Sequence, residues 1–395
     1  MPRHLRSRVA VIAALLPVLV LVVASPCIAE DSAKELLEQV RLGHDEPYEQ
    51  TRALTERLRR DHPDSPEAVA AMWFLAGRAQ RTGREDEATR LWRELETLAP
   101  YEAGRGQAAA WARMGVKEAR WRIAAFHERH GEWEQALGWW RKAETYGWCG
   151  NGIAGLIAGR DWHVALCLLR LGREDEALQA FDEAVFRENM YCDIRTVAAW
   201  VRLKQERVGI DGVRDILRGA DKAYPPSGVA MAREYLGMLD MRVAGDVAGL
   251  WEKLDQRPLR SHGERWRSSL AFDLLSQIGG PAISLARERL SRNDFDEAAW
   301  AAAILVAAGA ENAPELIAER VRVQIEDFDY PNIWILRELM FTLMLHGSPE
   351  ALATIRRYAA EAQGNQKRAA EQILEEFPTP EAARAHLTFD VLPAQ

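Results

Sequence analysis

Three stretches of this chain can be laid over one another on a glycine, and that coincidence limits the fold more than any other feature. The glycines are Gly83, Gly131 and Gly172. Five residues after each stands an alanine (Ala88, Ala136, Ala177), and nine after stands an aromatic (Trp92, Trp140, Phe181). Twelve after stands Leu95, Ala143 or Ala184; seven before stands Ala76, Ala124 or Ala165; eight before stands Leu75, Ile123 or Val164. This spacing describes two antiparallel helices joined by a tight turn. The glycine supplies the backbone freedom of the turn. The alanines sit where helices cross closely, and the aromatics fill the space between one unit and the next. A single unit cannot bury its own apolar face, so units of this kind must stack.

These residues resemble the tetratricopeptide repeat. Gly83-Arg84-Glu85-Asp86-Glu87-Ala88 and Gly172-Arg173-Glu174-Asp175-Glu176-Ala177 match the opening of that family's second helix, and Pro100 falls where the family ends it. The glycines stand 48 and 41 residues apart, longer than the family period, which implies inserted turns or loops. Gly147, Gly150, Gly152, Gly155 and Gly159 mark one insertion. A weaker unit runs over residues 195–224 around Gly209, and a partial one over 48–60. The resemblance implies an all-α fold, a right-handed α-solenoid of antiparallel helix pairs, over residues 30–225.

Past residue 260 the punctuation changes. Gly279-Gly280-Pro281, Gly309 followed by Ala313-Pro314-Glu315, and Gly347-Ser348-Pro349-Glu350 each stop one helix and open another. Residues 261–378 therefore resemble HEAT-type helical repeats in degenerate form, with a generic helix-pair array as the alternative. Residues 226–260 read as connecting helices and 379–395 as a C-terminal tail. Further helix starts are marked by Ser65-Pro66-Glu67, by Thr379-Pro380-Glu381, and by Ser32 with Glu35 as a capping box. No alternating strand pattern is present.

The N-terminus reads as an address. Arg3, His4, Arg6 and Arg8 precede an uncharged apolar run over residues 9–24, shorter than the ~20 residues of a comfortable span. Cys27-Ile28-Ala29 then offers small residues at the positions a signal peptidase reads, so residues 1–29 are expected to be a secretory signal peptide. The mature protein is expected in the periplasm or outside the cell, with no membrane span. Pro26 before Cys27 argues against lipid anchoring. Cleavage removes three arginines and no acid, taking the net charge from −8 to −11. Such a charge disfavours nucleic acid and anionic membrane surfaces as partners.

Within the repeats, a tryptophan stands ten residues before each turn glycine (Trp73, Trp121, Trp162) and an arginine two before (Arg81, Arg129, Arg170). Eight residues apart, each pair shares one helix face. In the resembled family that face lines a concave groove, so the resemblance implies a ladder of indoles beside a ladder of guanidiniums. Indoles give contact area at low entropy cost, and arginine grips a carboxylate with two hydrogen bonds. The expected ligand is a peptide or protein, an acidic one included; stacked sugars also suit indole faces. The opposing reading is that both residue types serve stability alone. Ten of the 14 tryptophans lie between Trp73 and Trp200, and Trp92, Trp139 and Trp140 read as core.

Cys149 and Cys192 fall at the ends of second helices in successive units, where a disulfide or two partly buried thiols are both open. Cys167, in an apolar run, reads as core. His127 and His130 flank Glu128 but lack further ligands, so they read as solvent-facing and no metal or other cofactor is expected. No nucleophile elbow, zinc-protease helix or phosphate-cradling loop is present. The expected function is an exported, non-enzymatic scaffold. The alternative is an (α/α)-barrel-like enzyme or glycan-binding protein acting on envelope polysaccharide. The enzyme would need two carboxylates in a tryptophan-lined cleft.

Overall fold

The computed structural model describes residues 33–43, 47–98, 104–146, 150–188, 191–220, 226–254, 269–292, 295–326 and 333–387. The expected leader with Cys27, the Ser32 cap, Pro100, Gly147 and Cys149 lie outside the described residues. Among the described residues the fold is all-α: 19 helices and no strand. The chain forms two compact units, Met1–Ala180 and Phe181–Gln395.

The first unit holds α1 (residues 33–42), α2 (Tyr48–Asp61), α3 (Pro66–Arg81), α4 (Glu85–Thr97), α5 (Gln107–Arg129), α6 (Trp133–Lys142) and α7 (Gly150–Arg170). Helix α8 (Glu174–Val185) crosses the division. Local chemistry sets the boundaries. Ser65 caps α3, its Oγ accepting from the Ala68 amide at 3.2 Å, and Pro66 occupies the first turn. Helices α4 and α8 each open on three acids, Glu85-Asp86-Glu87 and Glu174-Asp175-Glu176, which suit the positive end of a helix.

The three aligned glycines adopt one geometry. Gly83, Gly131 and Gly172 have φ of 73°, 72° and 71°. Each glycine amide donates to the carbonyl three residues back, at 3.2, 3.0 and 2.9 Å, and the next amide donates five residues back, at 2.9 Å in all three. This paired pattern is the Schellman helix stop. Gly245 and Gly309 repeat it; Gly245 shares the turn without sharing the sequence pattern around it. The aligned alanines are buried: Ala76, Ala124, Ala136, Ala165 and Ala177 are all 0% exposed. Trp92, Trp140 and Phe181 are buried as well.

Part of the longer repeat period is taken up in helix. α5 has 23 residues and α7 has 21, against 16 in α3. Gly150, Gly152, Gly155 and Gly159 all lie within α7. α3 packs on α2, α4 and α5; α5 also packs on α4 and α6; α6 packs on α7.

The second unit continues with α9 (Ile194–Gly219), α10 (Ser227–Ala244), α11 (Val247–Glu252), α12 (Leu270–Ile278), α13 (Gly280–Leu290), α14 (Phe295–Ala307), α15 (Ala313–Glu326), α16 (Ile333–His346), α17 (Pro349–Glu361), α18 (Gly364–Glu376) and α19 (Pro380–Leu387). Gly209 breaks α9 with φ 72° and ψ 166°, at the centre of the weak fourth unit. Each glycine stop past residue 269 ends a helix: Gly279 after α12, Gly309 after α14, Gly347 after α16. Helices α12, α14, α16 and α18 pack successively on one another, and α13, α15 and α17 do likewise. The first row is the more apolar. α14 buries the whole run Ala298 to Leu305, and α16 buries Leu336, Leu339, Met340, Phe341 and Leu343, as helices covered on several sides must. α19 packs on α16, so the segment expected as a tail begins with a docked helix.

Candidate functional site

The helix stripe that begins at Trp73 continues through Gly77 to Arg81, positions four residues apart on α3. It faces Glu118 and Arg122 of α5. Trp73 Nε1 donates to Glu118 Oε2 at 2.8 Å, and Arg122 Nε donates to Glu118 Oε1 at 2.8 Å. Glu118 is buried, and this shared use is what a buried carboxylate requires. Gly115 lets the two helices approach: a β-carbon there would lie 2.7 Å from Trp73 Cβ. Arg122 also lies over the Trp92 ring, 5.8 Å from its centre.

Arg81 ends the stripe, two turns beyond Trp73. Its residue is exposed overall, yet its Nη1 folds back over Gly77, 3.5 Å from where a β-carbon would stand. Burial of the head, then the charges of Arg78 and Arg122, hold its proton less firmly than in a free arginine; Glu118 opposes them. Arg78 is buried and donates to the Gly43 carbonyl and to Thr51 Oγ1. Tyr146 stands near the same charges. Its phenol is pushed up to about 12, first by burial and then by Glu118.

The six residues expected to form ladders are placed in unlike settings. Trp73 is half-buried. Trp121 is 9% exposed, its Nε1 donating to the Glu144 carbonyl at 2.7 Å and its ring edge-on to Trp140 and Tyr146. Trp162 is 2% exposed. Arg129 is exposed and donates to Glu85 at 2.7 Å. Arg170 lies 5.4 Å from the Trp133 ring centre. Trp73 is therefore tied to Glu118 of α5, whereas Trp121 and Trp162 sit in the core. Glu118, Arg122, Gly77, Gly115 and Tyr146 were not singled out by the sequence. The i, i+4 pair Glu118–Arg122 was the one available signal.

Two other clusters use the same device of a carboxylate satisfying an indole. Glu128 accepts from Trp140 Nε1 at 2.8 Å and contacts His163 Nδ1 at 2.9 Å, with the His163 ring stacked on Trp140 at 4.3 Å. Asp182 accepts from Trp200 Nε1 at 2.7 Å and from Lys204 at 2.9 Å. His127, expected to face solvent, is instead buried and paired with Glu132; His130 is exposed. The correction follows from helix phase, since His127 sits three residues after the buried Ala124. Cys167 is fully buried, its thiol pushed up to about 12 by burial and then by Glu128. Cys192 Sγ donates to the Asp193 carbonyl at 3.7 Å; its expected pairing with Cys149 falls outside the described residues.

A cleft of about 450 Å³ lies among α2, α3 and α4. Its floor is apolar (Val69, Met72, Leu98), and the ion pair between Arg59 and Glu94 crosses its rim. Among the described residues no helix is long and apolar enough to cross a membrane, and no group of three or more His, Cys, Asp or Glu is placed to hold a metal ion. No family model, no curated protein and no solved structure matches this chain.

Proposed function

We propose that this is an exported, non-enzymatic interaction protein. In this reading the helix pairs, tetratricopeptide-like over residues 30–225 and HEAT-like over 261–378, form right-handed solenoid segments. The first helices offer a concave face to a peptide or protein partner. The observation that carries the reading is the recurrence of one turn geometry at Gly83, Gly131 and Gly172, with buried alanines in register around each. A stop of fixed geometry repeated between helix pairs is what stacked units need.

The carboxylates beside the tryptophans favour a scaffold over a hydrolase. Glu118, Glu128 and Asp182 each accept a hydrogen bond from an indole. A glycosidase needs a free pair of acids flanking the scissile bond, and these three are engaged in holding helices together. The partner-binding residues of the proposal are Trp73, Arg81, Arg129 and Arg170, the members of the two ladders that keep some surface.

The test is affinity capture from the envelope fraction of the host, with the mature protein beside the double variant Arg81→Gln, Arg129→Gln. Both residues are exposed overall, and a thermal melt checks that the variant is folded. A partner held by the parent and lost by the variant supports the reading. Absence of any partner, with folded protein, counts against it. N-terminal sequencing of the protein from the same fraction checks export: a chain starting at residue 30 is expected, and an intact leader rejects cleavage.

A further inference from the structure

We infer that the cleft among α2, α3 and α4 is a socket for one large apolar side chain of a partner segment, with a basic residue beside it in the partner. The inference rests on the scaffold reading and adds a second contact to it, built from residues outside the tryptophan and arginine ladders. The cleft holds about 450 Å³, inside the span of roughly 300–1,000 Å³ common to ligand sites. Val69 and Met72 of α3 are buried beneath it, and Leu98, at the end of α4, packs on the same core cluster. None of these three side chains carries an N–H or O–H. Water on such a floor forgoes hydrogen bonds, so an apolar group displaces it favourably. Met72 is unbranched and adapts to the shape of what it meets. The cleft is also half-open. A free small molecule would keep much of its surface in water there, whereas a side chain on a longer chain gains further contacts outside.

The rim sets the sign of the neighbouring charge. Arg59 of α2 is paired with Glu94 of α4, and Glu94 also has Arg90 at 3.7 Å. Glu56 accepts from Arg52 Nε at 2.9 Å, and Arg60 Nε donates to Asp61 at 3.0 Å. Among the described residues, each charge lining the cleft is thus matched except that of Asp64, which makes neither an ion pair nor a side-chain hydrogen bond. Asp64 is exposed in the turn before α3. The start of α3 answers it with a partial charge only, so a full positive charge is the complement the rim lacks. A lysine or arginine next to the apolar residue supplies it.

The experiment is ligand-observed fluorine NMR on the full mature chain, with acetyl-4-fluorophenylalanyl-lysine amide as probe. A second probe carries glutamate in place of the lysine, and a third is free 4-fluorophenethylamine. The lysine probe should bind the parent best of the three and weaken as salt is added. Asp64→Asn should bind it about threefold less tightly, the size of one exposed ion pair, and should narrow the gap between the lysine and glutamate probes. Leu98→Gln should weaken both dipeptides about fivefold through lost apolar contact. Glu315→Gln, an exposed acid of α15, should bind as the parent does. No binding of the lysine probe by the parent, equal binding of the two dipeptides, or undiminished binding by Asp64→Asn or Leu98→Gln would each overturn the assignment. Equal binding of 4-fluorophenethylamine would make the cleft a small-molecule site and overturn the partner. Thermal melts check that the variants are folded, and the comparison of probes on the parent decides the charge without any variant. Failure here with partner capture intact removes the socket alone, whereas the scaffold reading falls on absence of a partner.

Discussion

Gly115 of α5 stands against Trp73 of α3 so closely that a β-carbon on Gly115 would lie 2.7 Å from Trp73 Cβ and 2.8 Å from Cγ. These atoms are near the backbone and cannot swing aside. Gly115→Ala is expected to force the two helices apart, at a cost of about 1–3 kcal/mol. Gly77 is the contrast. It lies within α3, and its added β-carbon would meet only the tip of Arg81 at an ordinary 3.5 Å. Gly77→Ala should stabilise by roughly 0.5–1 kcal/mol through helix propensity alone. Urea denaturation of both variants reads the opposite signs directly; two changes of the same sign would mean the helix contact is misplaced.

The turn glycines should respond alike to substitution. Nothing lies within 4 Å of a β-carbon at Gly83 or Gly172, and at Gly131 only Trp133 Nε1 does, at 3.9 Å. The cost of alanine is therefore backbone strain in the left-handed region, about 1–2 kcal/mol each. Asparagine should cost less than alanine at the same sites. Unequal losses at the three positions in denaturation experiments would show that the turns are not equivalent.

Single truncations of the aligned tryptophans should separate them. Trp121→Ala and Trp162→Ala open holes in the core and are expected to cost about 3–5 kcal/mol. Trp73→Ala removes a half-buried ring and should cost less. The sum would unfold the chain, so a triple tryptophan variant says nothing about binding. Thermal melts of the three single variants give the ranking, and a Trp73→Ala loss as large as the others would place it in the core.

Alkaline stability should fall in a defined window. Tyr146 is pushed up to about 12 by burial and then Glu118; Tyr235 is pushed up to about 12 by burial and then Asp273. An unfolded tyrosine titrates near ~10. Between these values the folded chain keeps protons that the unfolded chain has lost, so stability is full below pH 10 and declines as pH rises toward 12. Absorbance titration at alkaline pH should show late-ionising tyrosines. Glu118→Gln should bring Tyr146 earlier, and an unchanged titration would remove Glu118 as a contributor.

Cys167 should be inert in the folded protein. Its thiol is fully buried and pushed up to about 12, so little thiolate forms at neutral pH. Labelling with a thiol reagent should modify Cys167 only after denaturant is added. Rapid labelling of the native chain at this residue would contradict its burial.

The turns, caps and close-packed alanines were legible in the sequence because each is a local matter. A left-handed glycine, a serine before proline, or an alanine one turn from a stop acts through residues within a few positions of itself. That was enough to determine an all-α chain of punctuated helices. The fate of Trp73, Trp121 and Trp162 was not local. All three stand ten residues before a turn glycine, yet one is half-buried and two are core. Only tertiary structure decided this, because exposure depends on what a neighbouring helix brings opposite. For Trp73 that is Gly115 and Glu118, more than forty residues along the chain. Trp73 and Glu118 meet because Gly115 lets α3 and α5 close on one another, and no spacing within either helix encodes that meeting.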